Sequence, residues 1–247
     1  MKRLLPLIII VVFTTVSYGQ QEANNWYFGR NAAFNFSTGS PVPVAGSLLN
    51  TLEGCSSFSD TNGDLLFYVG APNPSATNLT VWNKNHLPMP YCDVPNGGTA
   101  LLGDASSSQT ALTVPAPGQT DIYYLFTVGA DSSGNAGFWY YTIDMTLNGG
   151  LGDIVGPPVD LSNGSASSWT EKVTAVRGAD CDTYWIISLE QNNFYAYKIS
   201  NTGVDVAGVV ISNVGGFPSG DERRGYMKVS PDGTKLVAAK MNNGAYL

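Results

Sequence analysis

A single histidine, His86, stands in the 247-residue chain, and it limits the catalysis the chain can support. Any Ser-His-Asp or Cys-His arrangement has to use it. It follows Asn83, Lys84 and Asn85 with no G-x-S-x-G elbow nearby, so it reads as a turn or surface residue. A catalytic zinc takes several His or Cys ligands and finds too few here. Asp60-x-Asn62-x-Asp64 has the opening spacing of a calcium loop. The run lacks the glutamate at the twelfth position, and Asn62-Gly63 explains it as a hairpin turn. We therefore expect no metal and no cofactor. Carboxylates remain: Glu53, Glu171 and Glu222, with Gln109 in the matching place. Glycoside hydrolysis needs two acids roughly 5–10 Å apart across the scissile bond. With Lys172 and Arg223 beside them, these residues make a candidate ligand-binding ring. The plainer reading is structural, with the same groups bonding the adjacent repeat and satisfying loop backbone.

The elements that position these residues are strands. No segment sustains an apolar stripe at i, i+3, i+4, i+7, whereas short β-branched and aromatic runs bounded by Gly, Pro, Asn or Asp recur throughout. Four segments share one template: a strand of small residues, a turn, then a strongly apolar strand. They are 55–68, 111–126, 173–187 and 227–239, with Asn62-Gly63 and Asp232-Gly233 as type I′ hairpin dipeptides. Their anchors Leu66, Tyr124, Trp185 and Leu236 are 58, 61 and 51 residues apart (66 to 124, 124 to 185, 185 to 236). That is near a four-stranded propeller blade with loop insertions, roughly 40–50 residues. A third strand follows in three units, at Leu79–Trp82, Phe138–Asp144 and Phe194–Ile199. The polar candidates precede their anchors by 13 to 15 residues, which places them where each unit's first strand begins and where a propeller rims its channel.

The expected fold is all-β: a β-propeller-like array of antiparallel four-stranded blades. It reads as incomplete, about four and a fraction blades, with the chain truncated in mid-blade near Leu247; a double-sheet sandwich is the alternative. Among the tryptophans, Trp26, Trp82, Trp139 and Trp185 read as core, and Trp169 as the exposed one.

Residues 1–19 have the pattern of a signal peptide: basic Lys2 and Arg3, an apolar Leu4 to Val16, and Ser17-Tyr18-Gly19 before the cleavage point. The apolar run falls short of the roughly 20 residues that span a bilayer. Residues 20–247 form the partial propeller domain. Cleavage shifts the net charge from −7 to −9 by removing Lys2 and Arg3. An acidic exported chain without a Lys/Arg cluster gains no counterion release from nucleic acid or anionic lipid, so neither is an expected partner, and no membrane insertion is expected after cleavage. Of the three cysteines, Cys55 with Cys92 is the favoured pair, Cys181 being left over; three unpaired cysteines is the alternative.

Several runs carry a family resemblance: Asn25-Trp26-Tyr27-Phe28-Gly29, Asn50-Thr51-Leu52-Glu53-Gly54-Cys55, Ser59 to Tyr68, Val81 to His86, Leu101-Leu102-Gly103, Ser106 to Gln109, Thr170-Glu171-Lys172 and Gly225 to Gly233. In order, they resemble the N-terminal propeller-like region of large secreted Bacteroidota proteins associated with type IX secretion and gliding motility. The resemblance implies export, engagement of secretion machinery, and display or release at the cell surface; the family's C-terminal sorting domain is not in this sequence. The function expected is a secreted or cell-surface non-catalytic binding or adhesion module for protein or glycan ligands. A secreted glycan-active propeller enzyme using the clustered carboxylates is the alternative.

Overall fold

Among the described residues, alternating apolar runs with Gly, Asn and Asp at the reversals give eighteen strands in five antiparallel sheets. The computed structural model describes residues 21–131, 136–162, 166–214, 223–241 and 244–246; the signal-peptide segment lies outside them. Blade 1 is β1 (Asn25–Phe28), β2 (Ala32–Asn35) and β3 (Val42–Pro43). Blade 2 is β4 (Ser56–Ser59), β5 (Leu65–Gly70), β6 (Asn78–Asn83) and β7 (Leu101–Leu102). Blade 3 is β8 (Ala111–Pro115), β9 (Ile122–Val128), β10 (Phe138–Asp144) and β11 (Asp153–Asp160). Blade 4 is β12 (Trp169–Arg177), β13 (Tyr184–Glu190), β14 (Asn193–Ser200) and β15 (Gly203–Asn213). Blade 5 is β16 (Met227–Val229), β17 (Leu236–Lys240) and β18 (Gly244–Tyr246).

The sheets are arranged as a five-bladed β-propeller, each with its first strand innermost and the others following outward in chain order. All four registered anchors fall on second strands, in β5, β9, β13 and β17. The count of four and a fraction is corrected to five. The uncounted blade is β1–β3, whose strands are too short to repeat the template, and the last unit does form a third strand, β18. Blades 1 and 5 each show three strands among the described residues.

The core lies between blade faces. Tyr27 stacks on Tyr68 with ring centroids 4.3 Å apart, and Tyr68 on Trp82 at 5.2 Å, joining blades 1 and 2. Phe67, Val69 and Val81 meet Leu125, Trp139 and Tyr141 between blades 2 and 3. Phe126 and Phe138 meet Val173, Ile186 and Tyr197 between blades 3 and 4.

Two tryptophan assignments are reversed. Trp169 is 1% exposed, held between Phe138 (5.4 Å) and Tyr195 (4.9 Å), with its indole N–H donating to the Ser162 carbonyl. It opens β12 and so enters the blade 3–4 interface instead of the preceding loop. Trp26 is 52% exposed, because Asn25 and Tyr27 take the covered face of β1 and Trp26 with Phe28 takes the other. Trp82 and Trp139 are buried as expected and Trp185 is half-buried.

The favoured disulfide is also corrected, since all three cysteines are free. Cys55 faces the inner wall before β4, whereas Cys92 is buried between blades 2 and 3, bonding Val81 and Met89 backbone through its sulfur. Burial pushes the Cys55 thiol up to about 11 and the Cys92 thiol up to about 12.

Trp169→Ala is expected to lower unfolding free energy by about 3–5 kcal/mol, read by urea denaturation. Trp26→Ala should change it by no more than about 1 kcal/mol. In denaturant without reductant, a thiol reagent should titrate all three cysteines.

Candidate functional site

The segments that enter each blade, 51–54, 104–109, 167–172 and 223–227, meet at one end of the propeller. Leu52 and Glu53 N–H groups donate to the Ala105 carbonyl, and the Gly54 N–H to that of Ser107. A side chain at Gly54 would lie 2.2 Å from the Thr110 nitrogen, so the close approach of these segments demands glycine.

A bulge in β12 builds the centre of this rim. Trp169 pairs with Glu190 and Val173 with Ser188, so Thr170, Glu171 and Lys172 together oppose Leu189 alone. The bulge breaks the in-out alternation, and both Glu171 and Lys172 are 0% exposed. Glu171 points to blade 3, where Oε2 accepts from the Ser108 N–H and hydroxyl, both at 2.9 Å, and Oε1 from the Asp131 N–H at 3.0 Å. The Arg224 Nε stands 4.0 Å away. Lys172 points to blade 5 and donates to the Arg223 and Arg224 carbonyls at 2.7 and 2.6 Å. Burial pulls its pKa down to about 8 against the pull of Glu171.

Gln109 joins three blades: its Oε1 accepts from the Met227 N–H at 2.7 Å and the Val173 N–H at 3.3 Å. Arg223 pairs with Asp131 at 2.5 Å. Glu53 is the exposed member. Partial desolvation raises its pKa first, a Ser108 hydrogen bond opposes that, and the charge of Glu171 adds to it. Glu53, Gln109, Glu171, Lys172 and Arg223 are thus brought together as the repeat phase implied, while Glu222 lies outside the described residues. All five side chains are engaged in blade-to-blade bonds, Glu53 through Ser108.

Sequence reasoning missed the cavity. About 1050 Å³ opens along the inner strands toward their far ends, past Asp60, Pro115 and Arg177. None of the rim residues lines it. Its wall carries Trp26, Phe28, Phe58, Tyr123 and Tyr184, with Glu22, Asp60, Arg177 and Lys228 as charged groups. Phe58 packs edge-on to Tyr123 at 5.0 Å, and the Trp26 N–H is spent on the Ala23 carbonyl, so the indole offers its face. The alternation Asn25-Trp26-Tyr27-Phe28 was the signal available, two aromatics on the face opposite Tyr27.

His86 sits in its turn at φ +61°, 3.3 Å from the Tyr68 hydroxyl through Nδ1. The Asp60 carboxylate accepts the Asn62 and Asp64 N–H groups and so acts as a hairpin cap. Among the described residues no three His, Cys, Asp or Glu side chains gather as metal ligands.

Lys172 titrates below its unfolded pKa, so between pH 8 and 10.5 the unfolded chain holds the extra proton and stability rises with pH. The unfolding free energy of the wild type minus that of Lys172→Met should therefore increase by about 2–3 kcal/mol across this window, read by denaturation at each pH. Glu171→Ala strands the Ser108 and Asp131 donors and should cost about 3 kcal/mol or more; a loss of ligand binding in that variant reports on folding. No protein-family model, curated protein or solved structure matches the chain.

Proposed function

We propose that the chain is a secreted, non-catalytic binding module of the cell surface that recognises a protein or glycan ligand through the cavity inside its blades. The observation that carries this reading is the wall of that cavity. Ligand sites are concave, mostly apolar and about 300–1,000 Å³ in volume, with a few polar groups that orient the guest. The cavity has that size and that composition, with exposed rings from blade 1, half-buried rings from blades 2 to 4 and four charged groups. The carboxylate at the centre of the rim supports binding over turnover. Glu171 is fully buried and bonded through both oxygens, so it has no position from which to attack or protonate a substrate.

The basic and apolar pattern of residues 1–19 supports export. The family resemblance supports delivery to the cell surface with the help of secretion machinery, and an adhesive role there.

Immobilised protein should retain ligands from a glycan array or a peptide library, with Trp26→Ala weakening retention about tenfold or more while unfolding free energy stays within about 1 kcal/mol. Chromogenic glycosides and capped peptides incubated with the chain should give no product. Product release that survives Trp26→Ala and disappears with Glu53→Gln would replace the binding module with an enzyme of the rim.

A further inference from the structure

We infer that the cavity takes an extended peptide segment in which an apolar residue is flanked by a basic residue on one side and an acidic residue on the other. This rests on the binding reading above and names its ligand class.

Three features of the wall lead to it. First, the serine and threonine hydroxyls that the inner strands β4 and β8 bring to the wall already bond one another or blade 1. Ser57 donates to the Asn25 carbonyl at 2.6 Å, Ser59 accepts from the Asn25 amide at 3.0 Å, and Ser56 bonds Thr113 at 3.3 Å. These bonds join blade 1 to blade 2 and blade 2 to blade 3. A glycan presents a hydroxyl at nearly every carbon and loses affinity wherever one is buried without a partner.

Second, the remaining lining groups are mainly rings, with the Tyr123 and Tyr184 phenols among them, and charges. Trp26 has its N–H satisfied internally, and Phe58 and Tyr123 form a corner at 5.0 Å. Such a surface suits an aliphatic or aromatic side chain.

Third, the charges are segregated. Glu22 and Asp60 stand on the blade 1 and blade 2 side, and Arg177 and Lys228 on blades 4 and 5. The Tyr123 phenol is held above its ordinary pKa by burial and then by Asp121, Asp60 and Glu22, and of these carboxylates Asp60 and Glu22 line the cavity. A cation beside those acids and ring faces gains from both, and a carboxylate is matched on the opposite arc. An extended backbone advances about 3.3 Å per residue, so a segment of a few residues reaches from one arc to the other.

The test is a positional-scanning library of N-acetylated, C-amidated hexapeptides, with binding read by fluorescence anisotropy and a glycan array run on the same protein. The expected result is selection of Lys or Arg and of Asp or Glu on either side of an apolar position. Glu22→Lys should reverse the preference at the basic position at least tenfold, and Arg177→Glu the preference at the acidic position. Trp26→Ala should abolish the apolar preference. Selected peptides should bind several-fold more weakly at 500 mM than at 50 mM salt. Peptide binding indifferent to both charge reversals overturns the assignment. Trp26-dependent glycan binding without peptide binding overturns the peptide class and leaves the binding module standing. Retention of neither class overturns both.

Discussion

A β-sheet satisfies its own backbone through the ladder, but a blade meets the next blade face to face, where no ladder exists. Every such junction depends on side chains, and the bulge in β12 is where that dependence concentrates. Three consecutive residues oppose one partner, and from adjacent positions there Glu171 and Lys172 turn to different neighbours. Burying two charges is costly unless each finds several hydrogen bonds. Glu171 finds its donors on blade 3 and Lys172 its acceptors on the segment entering blade 5. Removing either leaves the other's neighbourhood mispaired, so the two act as one clasp across three blades. Asn25 with Ser57 and Ser59, and Ser56 with Thr113, fill the same role between blades 1, 2 and 3 on a smaller scale.

The parts of the fold written in local chemistry were legible. Asn62-Gly63 and Asp232-Gly233 demand tight reversals, and both occur, with Gly63 at φ +88° and Gly233 at φ +70°. The anchors recur because each second strand must be apolar on both faces to sit between two blades, and that doubled requirement survives in sequence as a run such as Ile122-Tyr123-Tyr124-Leu125-Phe126. Blade 1 was hidden because its strands are short and alternate, with alanines in β2 where the other blades carry large residues.

What could not be read is which faces are covered. Period-two alternation says that Trp26 and Phe28 share a face and that Tyr27 takes the other. It carries no information about whether a neighbour packs there. Trp169 and Trp26 exchanged their expected places for this reason, and Cys55, just before β4, and Cys92, on a 3-10 turn after β6, proved to lie in different layers. The rim candidates were found by phase, since residues that begin inner strands must gather at one end. Their buried bonding followed from the bulge, and a bulge leaves little trace in a run like Trp169-Thr170-Glu171-Lys172-Val173.

The two ends of the inner strands are thereby given different work. At the entry end, Glu171, Lys172 and Gln109 are spent on neighbouring groups, Glu53 is exposed, and among the described residues Asp104 Oδ2, Ser107 Oγ and Arg223 Nε are buried without a partner. Toward the exit end the wall is made of ring faces and of charged groups such as Glu22, Arg177 and Lys228, which stand on short or terminal segments of their blades. Exposed side chains on such a wall contribute little to blade union, so they are free to change with the ligand while the clasp stays constant. A recognition surface can diversify only where stability does not pass through it, and on this wall that condition is met by the exposed Trp26 and the half-buried Glu22, not by the Asn25, Ser56, Ser57 and Ser59 bonds that join the blades.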